Sequence, residues 1–374
     1  MKNLTKIIFL ACLSLVGCRK KIDSTLGEHP NNYTGAKTFE IIHKDFFYNK
    51  EFIRHLFAFD NNLYITKNNK YSSGPEIIVL TDNNTLIIPE NNIGPLYNAD
   101  NTDFNSDFIS DAQEKDGIVY FGGDMKYDDD DYLYLKYNTA NNTLNKGTNL
   151  LSTNADAVKS MMKYQGEVVA FTEAYANDLN CLSCSNSSGP YPNILNINLH
   201  DVTAVNDMFY LQTYQGKVYY SDVANSTSFS GINMAQTDTV VRMFEYNNNL
   251  CAIGSFDNGS YSLAYVNNNQ LEPLAPNSDI MAYLSKNFNS SFDHDKYFEN
   301  VPKVRVVNND IYIMGKMYIK NSSGNYDFKY ATTRYKDGNL EIIDTEMNIV
   351  DIASINGELY GAVFNGKFLA KLTF

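Results

Sequence analysis

Asn247-Asn248-Asn249-Leu250-Cys251 is the stretch that decides the fold, because its pattern recurs along the chain. Two turn-forming residues are followed by a spacer, an aliphatic residue and a strand-forming residue. Asn and Gly tolerate the positive φ angles that both central residues of a two-residue hairpin turn require. Each copy therefore predicts a tight turn that leads into a β-strand. The other copies are residues 60–64, 116–120, 165–169, 215–219, 308–312 and 356–360.

A second hairpin signal recurs inside several of these units, 21 to 29 residues after the first turn. Two hairpins provide four strands, which is the content of one blade of a β-propeller. In the unit that follows this pattern best, the strands are predicted at Thr239–Tyr246, 250–256, 261–266 and 271–274. The second hairpins are predicted at residues 83–86, 141–144, 268–271 and 337–340.

The spacing of the seven units predicts an all-β fold, a β-propeller of seven four-stranded blades. First turns recur on average about every 49 residues, which resembles the period of about 50 residues in kelch repeats more than the 40–45 residues of WD repeats. The third and fourth units lack a second turn and the spacing there is uneven, so six blades remain the alternative. Tyr219-Tyr220-Ser221-Asp222 also resembles the Ser/Asp turn of sialidase-type propeller repeats.

The last unit ends one strand short of a complete blade. Thr38–Ile42 has the alternating pattern of a half-buried strand, with Phe39 and Ile41 on one face. Because an open sheet edge invites aggregation, we expect this N-terminal strand to complete the last blade and close the ring. Residues 37–374 are accordingly predicted to form a single propeller domain.

Composition limits the classes of partner. The formal charge is −13, and loss of Lys2 and Lys6 with an export signal would make it −15. A surface of this charge repels a phosphate backbone, which argues against nucleic acid as a partner. The chain contains 28 Tyr and 22 Phe, residues that favour strands.

The N-terminus has the layout of an export signal. Lys2 and Lys6 precede an apolar run at 7–16 that is too short to span a bilayer as a helix. The run ends in Leu15-Val16-Gly17-Cys18, which resembles the lipobox of bacterial lipoproteins. An ordinary signal with an incidental Cys is the alternative.

The lipobox resemblance implies that residues 1–17 are a cleaved signal peptide and that Cys18 becomes the N-terminal residue, acylated with palmitate-type chains. It implies that the membrane is a partner through this lipid anchor. No Asp follows Cys18, and by resemblance to Gram-negative lipoproteins this fits transfer to the outer membrane. Which face of that membrane the protein occupies stays open. Residues 18–36 are polar and are predicted to be a flexible tether.

A binding site is expected on the rim of the propeller that carries the long connections, because binding residues concentrate on long loops over a rigid scaffold. Aromatic rings interleaved with Asp and Asn on these loops would suit a protein or a glycan. The alternative is that these rings pin their own loops to the scaffold. The predicted binding residues are Tyr97, Phe104, Tyr127, Tyr175, Tyr191, Tyr283, Phe292 and Tyr297.

Cys181 and Cys184 lie in a loop of an exported chain, where the compartment is oxidising, so a local disulfide is predicted. Cys251 is predicted to be a buried free thiol. The acidic loop at 124–131 lacks the alternating ligand spacing of a calcium loop and is predicted to be solvated. No metal and no cofactor are therefore predicted.

Three arginines bear on the enzyme hypothesis. Arg54, Arg242 and Arg305 come from the first strands of different blades, and sialidases use three arginines to bind a carboxylate. The alternative is that they form Arg–Asp pairs between blades. No Gly-x-Ser-x-Gly, Walker-type or His-Glu-x-x-His motif occurs, and no catalytic residue is predicted.

These features together predict a lipid-anchored, non-catalytic binding or assembly module of the cell envelope that holds a protein or glycan partner. The alternative is a carbohydrate-active hydrolase or lyase with its site in the central funnel. A glycosidase would place two carboxyl groups roughly 5–9.5 Å apart there. A binding module would present only aromatic and amide groups there, and the fold alone does not decide between the two.

Overall fold

The protein is an all-β structure within the described residues. It is built from β-strands and turns, and helical residues occur only at Ile280 and Tyr283. No described helix is long and apolar enough to span a bilayer. The computed structural model describes residues 38–43, 51–69, 75–91, 109–123, 126–127, 131–132, 134–147, 155–174, 178–184, 199–221, 229–256, 260–274, 279–280, 283, 302–320, 325–345, 347–364 and 366–374.

Seven sheets follow one another along the chain, and each is one blade of a β-propeller. The described part opens with β1 (Thr38–Ile42), and blade 1 then contains β2 (Glu51–Phe59), β3 (Asn62–Asn69), β4 (Pro75–Leu80) and β5 (Leu86–Ile87). Blade 2 spans β6 (Glu90–Asn91), β7 (Asp111–Lys115), β8 (Ile118–Gly122), β9 (Lys126–Tyr127), β10 (Asp131–Tyr132), β11 (Leu135–Asn138) and β12 (Thr143–Lys146). Blade 3 contains β13 (Ala155–Tyr164), β14 (Glu167–Ala174) and β15 (Asp178–Cys181).

The second half of the ring repeats this plan. Blade 4 contains β16 (Leu199–Val205), β17 (Met208–Thr213), β18 (Val218–Ser221) and β19 (Ser230–Gly231). Blade 5 contains β20 (Thr239–Tyr246), β21 (Asn249–Phe256), β22 (Ser260–Asn267) and β23 (Gln270–Pro273). Blade 6 contains β24 (Lys303–Val307), β25 (Asp310–Lys320), β26 (Tyr326–Lys336) and β27 (Asn339–Asp344). Blade 7 contains β28 (Asp351–Ile355), β29 (Glu358–Val363) and β30 (Phe368–Thr373).

Consecutive strands pair antiparallel within each blade, which confirms the predicted seven-bladed propeller over the six-bladed alternative. Blade 3 shows three strands within the described residues, whereas β6 adds a parallel fifth strand to the outer edge of blade 2. β9 and β10 form a separate two-stranded ribbon between the second and third strands of blade 2. The four strands of blade 5 match their predicted positions to within about two residues.

The N-terminal strand closes the ring, as predicted. β1 pairs antiparallel with β30, and it places Phe39 opposite Leu372 and Ile41 opposite Ala370. Blade 7 therefore takes its three inner strands from the C-terminus and its outer strand from the N-terminus. β1 covers the outer edge of β30 in this way, and blade 7 becomes a complete four-stranded blade.

The tight turns have the backbone that their sequence predicts. Asn247 and Asn248 have φ angles of 51° and 58°, and Gly117 follows Asp116 with φ at 74°. These are the left-handed conformations that Asn and Gly adopt at least cost. The turn chemistry thus explains why each first and second strand form a hairpin.

One turn assignment was wrong. Gln215-Gly216 connects β17 to β18, the second and third strands of blade 4, rather than its first and second strands. The first turn of this blade is Asn206-Asp207, whose φ angles are 51° and 58°. Asp207 stands at the second turn position, where the other first turns have Gly or Asn, and the sequence pattern was therefore not recognised. With Asn206 as the start, the uneven spacing of the units around blade 4 disappears.

The hydrophobic core is divided among the blade interfaces. Each of the seven interfaces between neighbouring blades contains one cluster of buried apolar side chains. At the interface that closes the ring, Ile53 and Leu56 of blade 1 belong to one cluster with Ala353 and Ala362 of blade 7. Burial of apolar area therefore holds every blade to both of its neighbours.

Candidate functional site

The first strands of the blades surround a central cavity, and those of consecutive blades lie next to one another around the whole ring. In every blade the fifth residue before the first turn is polar or charged. We call these seven residues the fifth-position ring. They are, in blade order, His55, Asp111, Ser160, Asp201, Arg242, Lys303 and Asp351.

Two aspartates of this ring join neighbouring blades through the same pair of hydrogen bonds. Asp111 accepts the backbone N–H of Ala112 at 2.8 Å with one oxygen and that of Met161 in blade 3 at 2.7 Å with the other. Asp351 accepts the N–H of the next residue in its strand at 2.9 Å and that of Leu56 in blade 1 at 2.8 Å. Both carboxylates therefore bond two backbone donors that the blade interface would otherwise leave unpaired.

The ring continues this linkage between blades 3, 4 and 5. Ser160 donates a hydrogen bond to the carbonyl of Val202 in blade 4 at 2.9 Å. Asp201 accepts the N–H of Val202 at 2.8 Å, and its other oxygen lies 3.7 Å from Arg242 of blade 5. Lys303 of blade 6 also contacts Asp351 of blade 7 and His55 of blade 1, so the same sequence position carries inter-blade contacts in all seven blades.

Asp351 is the centre of a buried ion cluster between blades 6, 7 and 1. Its side chain is 0% exposed, and Lys303 lies 2.7 Å from one oxygen. Arg305 donates from Nε and Nη2 to the two oxygens, each at 2.8 Å, in a fork geometry that suits a carboxylate. Burial alone would raise the pKa of Asp351, but the charges of Arg305 and Lys303 outweigh it and hold that pKa well below its usual range. Asp351 is therefore ionised at neutral pH.

Asp111 and Asp201 differ from Asp351 in their ionisation. Burial raises the pKa of Asp111 to about 6, although the two backbone N–H groups and Arg305 oppose the shift. Burial also raises the pKa of Asp201, opposed mainly by Arg242. Desolvation favours the neutral carboxyl, and among the described residues no cation lies as close to Asp111 or Asp201 as Arg305 lies to Asp351. The three aspartates of the fifth-position ring therefore differ in acidity.

The cavity inside the first strands has a volume of about 470 Å³. It is lined by residues from all seven blades, at positions three to seven residues before the first turns. Because first strands begin at the rim of the long connections, this cavity lies in the half of the ring next to that rim. Its polar lining includes Arg54, Lys159, Thr203, Arg242, Lys303 and Arg305.

The three arginines of the sialidase resemblance all line this cavity. Arg305 and Arg242 contact aspartates of neighbouring blades, at 2.8 Å and 3.7 Å respectively. These two follow the alternative considered above, Arg–Asp pairs between blades. Arg54 lies beside His55 on β2 and is half-buried.

Most of the predicted rim residues lie outside the described part of the chain, as does Cys18. For Tyr127 the structure gives only the backbone, in the ribbon β9–β10. Tyr283 is half-buried and packs against the apolar cluster between blades 5 and 6, as expected of a ring that pins its own loop. The other residues outside the description are Tyr97, Phe104, Tyr175, Tyr191, Phe292 and Tyr297.

Cys181 and Cys184 form a disulfide with their Cα atoms 5.6 Å apart. The loop that it closes covers the edge of β14, where Val168 donates its N–H to the hydroxyl of Ser183 at 2.8 Å. Ser183 in turn donates to Glu167, which also pairs with Lys115 of blade 2 at 2.6 Å. The disulfide loop therefore caps blade 3 and ties it to blade 2.

Cys251 is buried on β21, and burial raises the pKa of its thiol to about 12. A thiol in this state is neither nucleophilic nor able to bind a metal as a thiolate. It contributes to the core between blades instead.

The fifth-position ring was not recognised from the sequence. Its signal is present, since a polar residue stands five places before the first turn of every blade. Finding it requires the correct first turn in every blade, and Asn206-Asp207 had been missed.

Comparisons with known proteins agree with the fold. No family model and no curated protein matches this chain. Among solved structures, one titled "YCF48 bound to D1 peptide" superposes with a TM-score of 0.56 at 9% identity, covering 94% of this chain and 99% of that one. A prolyl endopeptidase structure gives a TM-score of 0.52 at 6% identity, with 87% and 50% covered. The WD40 propeller domain of Doa1 gives 0.49 at 11% identity, with 91% and 96% covered. At these identities the shared property is the β-propeller fold.

Proposed function

We propose that this protein is a non-catalytic binding module of the cell envelope that holds a protein partner at the central cavity and the adjoining rim. The observation that carries this proposal is the convergence of polar side chains from all seven blades on one cavity of about 470 Å³. A rigid concave site with fixed polar groups is the usual form of a binding site. The first-turn spacing, about 49 residues on average, supports a kelch-like class of repeat within this proposal.

The carboxyl groups of the cavity favour binding over catalysis. A glycosidase needs one carboxyl group that donates a proton to the substrate and a second that attacks it or activates water. Both oxygens of Asp111 accept backbone N–H groups, and those of Asp351 also bind two cations. Asp201 is engaged by Val202 and Arg242. These groups act in holding the blades together.

A protein partner is favoured over a glycan for two reasons. The chain has no Trp, the side chain best suited to stack on a sugar ring. A propeller that superposes over 94% of this chain was solved with a peptide bound. That peptide belongs to the other protein, and it shows that this fold can receive a segment of polypeptide.

The proposal includes a lipid anchor at Cys18, on the strength of the lipobox resemblance. Cells expressing the full chain would be fed an alkyne analogue of palmitate, followed by detection of the labelled protein. The wild type should be labelled and should partition into the detergent phase, and Cys18→Ser should do neither. Equal labelling of both proteins would contradict the anchor.

Site-specific photo-crosslinking tests the binding function. A benzophenone amino acid would be placed at Thr203, which lines the cavity, and separately at Asn309, an exposed residue of the tight turn in blade 6. We expect a discrete crosslinked protein from Thr203 and none from Asn309. Crosslinks from Asn309 alone would show that the partner binds the opposite rim, which carries the tight turns. No crosslink from either position would overturn the proposed function.

A further inference from the structure

We infer that the central cavity receives an anionic segment of its partner, namely the side-chain carboxylates of an acidic peptide. The inference rests on the proposed function and specifies the chemistry of the partner. It starts from a contrast in charge: the chain as a whole carries −13, whereas five basic and two acidic side chains line the cavity among the described residues. A cavity of the opposite sign within an acidic protein concentrates anions.

The burial of these charges makes the contrast stronger. Asp351 is 0% exposed, while its partners Lys303 and Arg305 are 20% and 24% exposed. In the second pair Arg242 is 40% exposed and Asp201 only 11%. The carboxylates therefore lie behind the cations, and a ligand that enters the cavity meets the ammonium and guanidinium groups first.

Lys159 of blade 3 adds a further cation to the cavity lining. It is exposed and lies one residue before Ser160 of the fifth-position ring. Basic residues from blades 1, 3, 5 and 6 thus face one space of about 470 Å³. Volumes of 300–1,000 Å³ are typical of sites that enclose a ligand, so several acidic groups can be accommodated together.

Carboxylates fit this surface better than a phosphate polymer does. Guanidinium groups bind either anion, but a nucleic acid would also meet the acidic remainder of the protein. An acidic side chain presents a single charge on a short stem and can enter the cavity while its backbone stays on the rim. Backbone amides of such a segment would also find hydroxyl acceptors in the cavity lining, which includes Thr203 and Ser110.

The test measures binding of two fluorescein-labelled decapeptides to the purified full-length protein by anisotropy. One alternates Asp with Gly, and the other has Asn in place of each Asp. We expect saturable binding of the Asp peptide, at least about tenfold tighter than that of the Asn peptide and weakened by raising NaCl from about 50 to about 300 mM.

Two cavity variants and one matched control sharpen the result. Lys159→Gln and Arg242→Gln should each weaken binding of the Asp peptide roughly fivefold. Lys163→Gln should leave it unchanged, because Lys163 is exposed on the same strand as Lys159 but lies outside the cavity lining. Thermal melting of each variant verifies that the ring is intact.

Three results would overturn the inference. They are equal affinity for the two peptides, equal loss in Lys163→Gln, and binding of inorganic polyphosphate in preference to the Asp peptide. The proposed function is judged separately by the Thr203 crosslink. Suppose that a partner crosslinks at Thr203 equally well in wild type and in Lys159→Gln. The proposed binding function would then be supported, and the inference of an acidic ligand would be wrong.

Discussion

The carboxylate of Asp351 accepts the backbone N–H of Leu56 at 2.8 Å, across 295 residues of sequence. This bond joins the first strands of blades 7 and 1, inside the ring, while β1 joins the two ends of the chain at its outer edge. The same carboxylate forms ion pairs with Lys303 and Arg305 of blade 6, at 2.7 Å and 2.8 Å respectively. Asp351 is thus a contact point for three blades.

Asp351→Asn should destabilise the propeller strongly. The substitution leaves Lys303 and Arg305, whose side chains are 20% and 24% exposed, without their counter-charge, and the cost is up to about 3–5 kcal/mol, the value for removing one partner of a buried pair. Urea denaturation followed by circular dichroism would measure the free energy of unfolding. Glu358→Gln is the matched control, since Glu358 pairs with Lys371 at the surface and its loss should leave the unfolding midpoint unchanged. Equal midpoints for Asp351→Asn and wild type would contradict the role of this cluster.

Ile42→Asp should loosen the closure of the ring. Ile42 is 8% exposed and belongs to the apolar cluster between blades 7 and 1. Placing a carboxylate there costs about 3 kcal/mol or more. Glu40→Ser on the same strand changes an exposed side chain and should not alter the melting temperature. A melting temperature of Ile42→Asp equal to that of the control would show that β1 is dispensable.

Asp111 should make the propeller less stable as pH rises from about 4 to about 6. Its pKa is near 6 in the folded protein and 3.8 in its ordinary state, so in this window the folded protein binds the extra proton. Stability falls with pH wherever the folded state holds more protons. Asp351 acts in the opposite direction: its stabilisation is present above its ordinary pKa and is lost as pH falls below it.

The contribution of Asp111 is measured as the difference between wild type and Asp111→Asn. Unfolding free energies would be collected at pH 4, 5, 6 and 7 for both proteins. We expect wild type to lose stability relative to the variant up to about pH 6 and then to run parallel to it. A constant difference across the whole range would show that Asp111 does not titrate there.

Reduction of the Cys181–Cys184 disulfide should lower stability by about 2 kcal/mol, the loop-entropy value for a ring this short. The loop also positions Ser183 against the edge of blade 3, so loss of the bond should free that edge first. Hydrogen exchange of Val168 and Leu182 would be compared with and without dithiothreitol. A Cys181→Ser, Cys184→Ser double variant should show fast exchange in both conditions. Protection that is the same in reduced and oxidised wild type would contradict the capping role.

Local chemistry made the blades predictable, because the positive φ angles of a tight hairpin restrict the residues allowed there. In Asn247-Asn248 and Asn356-Gly357, both central turn positions are occupied by residues that tolerate a positive φ angle. The closing strand was predictable for a different reason: Thr38–Ile42 alternates, and the last unit lacked one strand. The turn prediction depends on residues that are adjacent in sequence, and the closure prediction on counting the strands of the last unit.

Blade 4 shows where local reasoning fails. Asn206-Asp207 and Gln215-Gly216 both form tight turns, and the backbone of each is satisfied by its own residues. Which of them joins the first two strands depends on how β16 pairs, and that is decided by packing against blades 3 and 5. A turn signal predicts a reversal of the chain without giving its place in a blade.

The cavity was also beyond sequence reasoning. The partners of Arg305 and Lys303 lie on the next blade, 46 or more residues away, and no local pattern links them to Asp351. An Arg–Asp pair between blades had been one of two alternatives for the arginines. The charges of Arg305, Lys303 and Asp351 come together only through the packing of the first strands of blades 6 and 7 against each other.

Because β1 must wait for β30, the ring cannot be finished until the last residues of the chain have been delivered. A nascent or clipped chain that ends before β30 leaves β1 without its partner strand and leaves the outer edge of β29 unpaired. Such a chain exposes sheet edges that proteases and chaperones recognise. Ring closure therefore depends on both termini, so a chain clipped at either end is left with an open sheet edge.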